Sequence, residues 1–185
     1  MKLSLFERFY PADTAVSSYV IDYEGLYKAG IRGLIYDIDN TLVPHGAPAD
    51  DRAKELFARL HEMGFATCLI SNNQLPRVAP FAEAVDSPFV ENAHKPSTVN
   101  YKKAMEMMGT DVTNTWFIGD QLFTDVYGAN RTGIPSILVN PIHPKEEIQI
   151  VLKRKLEKMV LYFYHKKRVH NSNRKQACLK KTALP

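Results

Sequence analysis

Cysteines and long apolar runs are scarce in this 185-residue sequence. Its two cysteines are too few for a disulfide framework, so we expect a reducing compartment. No stretch approaches the roughly 20 apolar residues that a membrane-spanning helix needs. The opening residues, MKLSLFERFYPAD, carry charges early and lack the apolar run of a secretory signal. These features argue against the disulfide-rich secreted class and the membrane-spanning class, and they predict a cytoplasmic protein.

Charge is unevenly distributed along the chain. Residues 151–185 contain 11 Lys and Arg residues and one acid, which gives this segment a net charge of +10. The whole chain has a net charge of +4, so residues 1–150 carry −6. A basic segment attached to an acidic body favours an anionic partner for that segment.

Short apolar runs alternate with helical patterns from Ile31 onward. The predicted strands cover residues 33–38, 65–70, 88–90, 115–118 and 134–139. The predicted helices cover residues 50–63, 75–85, 96–108 and 124–131. This alternation predicts an α/β fold in which a mostly parallel sheet is covered by helices on both faces. In such a sheet, ligands bind at the carboxyl ends of the strands.

Acidic side chains at two of these strand ends could carry out phosphate-ester chemistry. Asp37 and Asp39 lie two residues apart after the first strand, so one could attack phosphorus while the other transfers protons. A carboxylate that attacks a phosphate dianion needs positive charge nearby. Mg²⁺ supplies that charge and prefers carboxylate oxygens as ligands. Asp120 and Asp125, after the fourth strand, offer further carboxylates.

Two other strand ends carry Ser71 and Lys95. Ser71 offers a hydroxyl and a backbone N–H for a phosphate oxygen, and Lys95 offers a fixed charge for the transition state. Taken singly, each residue also has an ordinary structural explanation. Ser71 could be a turn residue, Lys95 a solvated surface residue, and Asp120 and Asp125 helix caps. The joint pattern, in which four strand ends carry the groups that one mechanism needs, favours an active site.

Four motifs resemble those of the haloacid dehalogenase (HAD) superfamily. They are DIDNT at 37–41, SNN at 71–73, Lys95 before Pro96, and GDQLFTD at 119–125. Their particular form resembles the YqeG-type phosphatases of subfamily IIIA, which are related to mitochondrial phosphatidylglycerophosphate phosphatase. The resemblance covers roughly residues 20–140 and implies a three-layer Rossmann-like HAD fold.

The resemblance also implies a role for each matching residue. Asp37 is the implied nucleophile, and Asp39 is the implied general acid/base, whose main-chain carbonyl reaches the metal. Asp125 is expected to bind Mg²⁺ through water or to pair with Lys95. The implied catalytic residues are Asp37, Asp39 and Lys95; the implied phosphate-binding residues are Thr41, Ser71 and Asn72; the implied Mg²⁺ ligands are Asp37, Asp39, Asp120 and Asp125. Because Asp39 is present, the resemblance implies a phosphatase rather than a dehalogenase.

The spacing of the motifs leaves no room for a cap domain. About a dozen residues separate Asp37 from the predicted helix at Asp50, and 24 positions separate Ser71 from Lys95. An uncapped site is open and could admit phosphate on a lipid head group, a protein, a nucleic acid or a bulky sugar. If loops or oligomer contacts cover the site, a small substrate is favoured instead.

The motifs and charge pattern predict four segments. They are residues 1–30, packing aromatic side chains on the core; 31–142, the phosphatase core; 143–169, a basic amphipathic helix; and 170–185, a basic tail expected to be disordered. The amphipathic helix could dock on the domain, lie on an anionic membrane, or contact RNA. The sequence leaves these three alternatives open.

Together, these features predict a Mg²⁺-dependent phosphomonoester hydrolase that forms an aspartyl-phosphate on Asp37. Phosphatidylglycerophosphate is the best single substrate prediction. The alternatives are a phosphatase of soluble sugar or nucleotide phosphates, and a non-catalytic protein that binds RNA or the ribosome through its basic tail. Expected partners are a phosphorylated substrate, with a lipid head group among the candidates, and an anionic membrane rather than nucleic acid. The expected location is the cytoplasm, with peripheral contact at the inner membrane face.

Overall fold

The computed structural model of the protein describes residues 5–143 and 156–168. The chain divides into two compact units, one formed by residues 1–10 with 146–185 and the other by residues 11–145. Within the described residues, all six strands and the five α-helices named below belong to the larger unit.

The larger unit is built on one parallel sheet. Its strands are β1 (Asp13–Ala15), β2 (Gly33–Tyr36), β3 (Ala66–Ile70), β4 (Phe89–Val90), β5 (Thr115–Gly119) and β6 (Ser136–Val139). Its helices are α1 (Tyr23–Lys28), α2 (Asp51–Glu62), α3 (Leu75–Ala84), α4 (Thr98–Met108) and α5 (Tyr127–Thr132). The strand order is β1-β6-β5-β2-β3-β4, and every pairing is parallel. The predicted α/β class is therefore confirmed.

Helices cover both faces of this sheet. All four residues of β2 are buried, as expected for a central strand of a parallel sheet. Successive side chains of a strand point to opposite faces. Accordingly, Leu34 and Tyr36 join a core cluster with α2 and α3, while Ile35 joins a second cluster with α4 and α5. This arrangement confirms the three layers.

In the described part of the chain, no further domain interrupts the stretch between the predicted motifs. The residues between β2 and α2 form only a loop, and α3 and β4 are the elements between Ser71 and Lys95. The predicted absence of a cap domain is thus confirmed for these described residues.

Most predicted elements are present with slightly shifted ends, but two differ. β2 ends at Tyr36 rather than Ile38, so Asp37 already begins the loop. The predicted helix over 124–131 is a π-helix, Leu122–Val126, followed directly by α5. The sequence pattern does not predict β1, which pairs with β6 at the sheet edge, or helix α1. β1 has only three residues, two of them polar, and so gives no clear alternation.

Aromatic residues from the second part of the N-terminal segment pack into the core. Tyr23 is 2% exposed and lies edge-on to Phe65, and the ring of Tyr27 contacts the same phenylalanine. Residues 11–30 thus belong to the same unit as the sheet. The predicted boundary at residue 30 does not coincide with the division of the chain into units, which falls after Tyr10.

The smaller unit contains a helix over residues 156–168. Within this unit, Phe6 stacks on Phe163, and Tyr10 meets Tyr164 edge-on with ring centroids 5.3 Å apart. The predicted amphipathic helix over 143–169 is thus described over 156–168, while most of its first half and the predicted tail at 170–185 lie outside the described residues. Among the helices of the described part, none combines the length and apolar content required to cross a bilayer.

Candidate active site

The predicted site residues meet at the carboxyl edge of the sheet. Asp37 follows β2 directly, and its N–H still donates to the carbonyl oxygen of Ile118 on β5 at 3.0 Å. Ser71 follows β3, and Asp120 follows β5. The sheet therefore fixes the backbone of Asp37, the predicted nucleophile, beside β5, which leads into the acidic motif at residues 119–125.

Lys95 lies between two buried carboxylates. Its Nζ is 2.5 Å from Asp37 Oδ1 and 2.8 Å from Asp125 Oδ1. The side chains of Lys95, Asp37 and Asp125 are 4%, 8% and 0% exposed. Burial lowers the pKa of Lys95, but Asp125 and Asp37 outweigh it and hold that pKa above its ordinary value. The lysine is therefore a fixed ammonium, and Asp125 shows the predicted pairing with it.

Three carboxylates lie close together here, and Lys95 contacts two of them. Carboxylate oxygens of Asp37, Asp120 and Asp125 all lie within 4.8 Å of one another, and all three residues are buried. Burial raises the pKa of Asp37 to about 6; Lys95 opposes this rise and Asp125 adds to it. An all-oxygen donor set with excess negative charge fits a hard divalent cation. This acidic cluster (Asp37, Asp120 and Asp125) could hold such an ion.

Thr41 lies between two members of the acidic cluster. Its hydroxyl is 3.3 Å from Asp37 Oδ2 and 3.4 Å from Asp120 Oδ1. The preceding residue, Asn40, has a φ of 63°, in the left-handed region that asparagine tolerates better than most residues. This turn brings the Thr41 hydroxyl back towards the acidic cluster, where the sequence analysis expected a phosphate contact.

The end of β3 differs from the prediction in one respect. The N–H of Ser71 donates to the carbonyl of Val90 at 3.0 Å, because pairing with β4 extends one residue beyond β3. The expectation that this N–H binds phosphate is therefore wrong. The Ser71 hydroxyl accepts from the Asn73 N–H at 3.1 Å, which leaves its own proton to donate.

Asn72 joins the β3 end to Lys95. Its side-chain oxygen accepts the backbone N–H of Lys95 at 2.8 Å. Its own backbone N–H reaches no acceptor in the described part of the chain. Two donors at this strand end, the Ser71 hydroxyl and the Asn72 N–H, thus remain available for a phosphate oxygen.

The carboxylate of Asp39 lies outside the acidic cluster and binds a separate set of donors. It accepts from the Gly46 N–H at 2.8 Å, from Asn73 Nδ2 at 2.6 Å and from an Arg77 Nη at 2.9 Å. The Nδ1 of His45 is 3.9 Å from the same carboxylate. These donors hold the Asp39 carboxylate in one orientation. The sequence analysis missed Arg77, since no motif or spacing links it to Asp39.

Tyr101, on α4, forms hydrogen bonds with the backbone of the acidic motif at residues 119–125. Its hydroxyl donates to the carbonyls of Thr124 and Asp125, at 3.1 and 3.2 Å. A Cβ on Gly128 would lie 2.4 Å from that hydroxyl, so glycine lets the tyrosine approach the π-helix. The sequence pattern identifies Tyr101 only as an apolar position of a helix and gives no sign of this contact.

The raised pKa of Asp37 predicts a pH-dependent stability for the metal-free protein. Its folded pKa of about 6 exceeds the ordinary value of 3.8, so between these values the folded state binds the proton more tightly than the unfolded state does. This group therefore stabilises the fold below about pH 4, and we expect that contribution to be lost as the pH rises to about 6. The measurement is the free energy of unfolding by urea, in excess chelator, at several pH values.

The Asp37→Asn variant is the control for this prediction. Subtracting its free energy of unfolding from the parent's isolates residue 37 from the other carboxyl groups. A difference that does not decrease between about pH 4 and pH 6 would contradict the prediction.

Comparison with known proteins adds three similarities. Residues 92–148 match a family model described as HAD-hydrolase-like. The chain is 34% identical over 154 residues to a Bacillus subtilis protein named "Probable phosphatase YqeG", covering 83% of this chain and 90% of that protein. It is 26% identical over 148 residues to phosphatidylglycerophosphate phosphatase 1, chloroplastic, of Chlamydomonas reinhardtii, covering 74% of this chain. The aligned region spans only 55% of the algal protein.

A solved structure shares the fold. The crystal structure of an uncharacterized protein from Listeria monocytogenes serotype 4b matches with a TM-score of 0.51 and 16% sequence identity. The match covers 64% of this chain and 85% of that one. At this identity the similarity concerns the fold alone.

Proposed function

Because the chain belongs to the YqeG-type phosphatases of the haloacid dehalogenase superfamily, we propose that it hydrolyses phosphate monoesters with Mg²⁺ through an aspartyl-phosphate on Asp37. The observation that carries this proposal is the buried acidic cluster with Lys95 hydrogen-bonded to Asp37. The cluster fits a cation, which together with Lys95 would attract a dianionic phosphate, and the Lys95 contact gives Asp37 a fixed orientation.

The first step forms the covalent intermediate. A carboxylate oxygen of Asp37 attacks phosphorus while the bond from phosphorus to the leaving-group oxygen breaks. Asp39, carrying a proton, donates it to the leaving oxygen, which departs as an alcohol. The ammonium of Lys95 keeps Asp37 oriented and offsets the negative charge that gathers in the transition state.

The second step releases phosphate. A water molecule attacks phosphorus and gives a proton to Asp39, and the bond between phosphorus and Asp37 breaks. Asp39 is now the base, and Asn73 and Arg77 keep its carboxylate in place. The Ser71 hydroxyl and the Asn72 N–H would hold phosphate oxygens in both steps.

Mg²⁺ is the proposed cation. Asp37 and Asp120 would hold it with the main-chain carbonyl of Asp39, and Asp125 would act through water or through Lys95. The ion would supply charge compensation to the phosphate. Carboxylate and carbonyl oxygens are the ligands that Mg²⁺ prefers.

The Asp39→Asn variant is expected to lose about 10²–10⁴-fold in turnover while keeping its affinity for Mg²⁺. The amide cannot transfer the proton, whereas the main-chain carbonyl that would reach the ion is unchanged. Turnover is measured with an aryl phosphate at neutral pH, and Mg²⁺ binding by the rise in melting temperature. Asp51→Asn, at an exposed position of α2, is the matched control. Unchanged turnover would remove Asp39 from the acid/base role.

Phosphatidylglycerophosphate is the proposed substrate. A relative carries that activity in its name, and the described residues contain no cap domain that would restrict the access of a lipid head group. The test compares kcat/KM for this lipid in dispersed form with kcat/KM for sugar phosphates, nucleoside monophosphates and an aryl phosphate. We expect the highest value for the lipid. A higher value for a soluble ester would contradict the lipid assignment and leave the phosphatase, whereas RNA binding without any hydrolysis would support the non-catalytic alternative.

We also propose that the helix over residues 156–168 contacts an anionic membrane surface. It exposes Lys158 and Lys166 together with apolar side chains. The exposed apolar residues are Leu156, Met159, Tyr162 and Phe163. Each basic residue near an anionic surface contributes about 1 kcal/mol, and salt screens this attraction. Binding of this kind would be reversible.

Replacing Lys158 and Lys166 by Gln is expected to weaken binding to anionic vesicles by about 30-fold at low salt. Turnover of a small soluble ester should stay at the parent's value. The matched control replaces Lys102 and Lys103, which are exposed on α4. Co-sedimentation with vesicles measures the effect. If the parent does not sediment with vesicles at low salt, or if both double variants behave alike, the membrane proposal is wrong.

A further inference from the structure

We propose that Ser18 and Tyr19 are positioning residues for the loop that carries Asp37 and Thr41. Both lie in a short 3₁₀ helix, Ser18–Val20, about 20 residues before the first catalytic motif. This inference rests on the proposed phosphatase function and extends the site to a segment in which no motif was found.

This segment forms hydrogen bonds with two consecutive carbonyls of the catalytic loop, which is the loop that carries Asp37 and Thr41. The hydroxyl of Ser18 donates to the carbonyl of Thr41 at 2.8 Å, and the hydroxyl of Tyr19 donates to the carbonyl of Leu42 at 2.5 Å. Ser18, Thr41 and Leu42 are all buried. No backbone N–H in the described residues donates to either carbonyl. Without these hydroxyls, two buried acceptors would lose their partners, which is costly in the folded state.

The segment is itself tied to the strand that presents Asp37. The hydroxyl of Tyr23 donates to the carbonyl of Ser18 at 2.6 Å, and the hydroxyl of Tyr36 donates to that of Tyr23 at 2.8 Å. Tyr36 is the last residue of β2 and is fully buried. These contacts connect β2 through Tyr23 and Ser18 back to Thr41, so they fix the loop relative to the strand from which it emerges.

The position of Thr41 matters because its hydroxyl touches both Asp37 and Asp120. If its carbonyl loses the Ser18 contact, Thr41 can shift, and the geometry of the nucleophile and the candidate cation ligand shifts with it. Displacements on the order of 1 Å at a reacting group can reduce turnover by about 10²-fold. The expected effect therefore falls on kcat and on cation affinity rather than on substrate capture.

The test uses the full chain with Ser18→Ala and Tyr19→Phe. The matched control is Tyr27→Phe, which removes a hydroxyl from a tyrosine that packs on Phe65 away from the loop. Three quantities are measured: kcat and KM for an aryl phosphate, and the Mg²⁺ concentration that gives half of the maximal rise in melting temperature. We expect each variant to lose about 10- to 100-fold in kcat with little change in KM, and to need several-fold more Mg²⁺. Tyr27→Phe should leave all three at the parent's values.

The outcomes separate this inference from the proposed function. If both variants lower the melting temperature but keep the parent's kcat and Mg²⁺ requirement, the segment only packs and the inference is wrong. If the parent hydrolyses no ester, the proposed function is wrong. The inference is then decided by Mg²⁺ binding: it holds if the variants need several-fold more Mg²⁺ than the parent, and it is wrong if they need the same amount. If Mg²⁺ changes neither the turnover nor the melting temperature of the parent, both the proposed function and this inference are wrong. Should Ser18→Ala fail to fold, Tyr19→Phe, which keeps its ring, carries the test.

Discussion

The Asp37→Asn protein is expected to show no Mg²⁺-dependent hydrolysis of an aryl phosphate above the uncatalysed rate. An amide cannot form the covalent bond to phosphorus, and removing a nucleophile from such a site costs on the order of 10⁴–10⁶-fold in turnover. Lys95 would keep its contact with Asp125 but would have no nucleophile to orient. Initial rates with and without chelator, for parent and variant, measure the loss.

The fold is expected to survive this substitution. Asparagine has nearly the shape of aspartate, and the change removes one carboxylate from a cluster of three buried acids. The melting temperature in chelator should therefore be at or above that of the parent near neutral pH. Asp51→Asn, whose side chain is 90% exposed, should change neither rate nor stability. Turnover in the Asp37→Asn variant within tenfold of the parent's would exclude Asp37 as the nucleophile.

The Lys95→Met protein is expected to be both inactive and strongly destabilised without divalent cations. The substitution leaves the buried acidic cluster with no counter-charge from Lys95. Removing one partner of a buried ion pair costs about 3–5 kcal/mol, because the remaining charge stays buried and unpaired. Turnover should fall by at least about 10²-fold, since the charge that supports the transition state is lost. Urea unfolding in chelator measures the first effect, and initial rates measure the second.

A second substitution tests the electrostatic cause. Adding Asp125→Asn to Lys95→Met removes a buried unpaired carboxylate, so it should restore part of the lost stability without restoring activity. Lys102→Met, at an exposed position of α4, should change the free energy of unfolding by no more than about 0.5 kcal/mol. If Lys95→Met is as stable as this control in chelator, Lys95 is not the counter-charge of the acidic cluster.

The sheet and the main site residues could be predicted because their signals are local. A buried central strand gives a continuous apolar run, as in β2, and its neighbours alternate with helical periodicities. Parallel strands bring their carboxyl ends to one edge, so residues that follow different strands are expected to meet. Asp37, Lys95 and Asp120 are placed by this rule alone.

Contacts that depend on how elements pack could not be predicted. Asp39 and Arg77 are 38 positions apart, and Ser18 and Thr41 are 23 apart, with no periodicity that relates them. Which carbonyls of the catalytic loop lack backbone partners is decided only when the loop folds. The same holds for Ser71, whose N–H is used by strand pairing that continues past β3. Tertiary hydrogen bonds of this kind cannot be predicted from a single sequence.

Trapping the covalent intermediate tests the central claim most directly. The Asp39→Asn variant lacks the base for the second step, so an aryl phosphate, with its good leaving group, should leave phosphate on Asp37. Quenching after a single turnover with Mg²⁺, followed by borohydride reduction, would convert that aspartyl-phosphate to homoserine, which peptide mass spectrometry locates. We predict homoserine at position 37 and at no other acidic residue, and none in excess chelator. Homoserine at Asp120 or Asp125, or full turnover with no modified aspartate in repeated trapping, would contradict the mechanism.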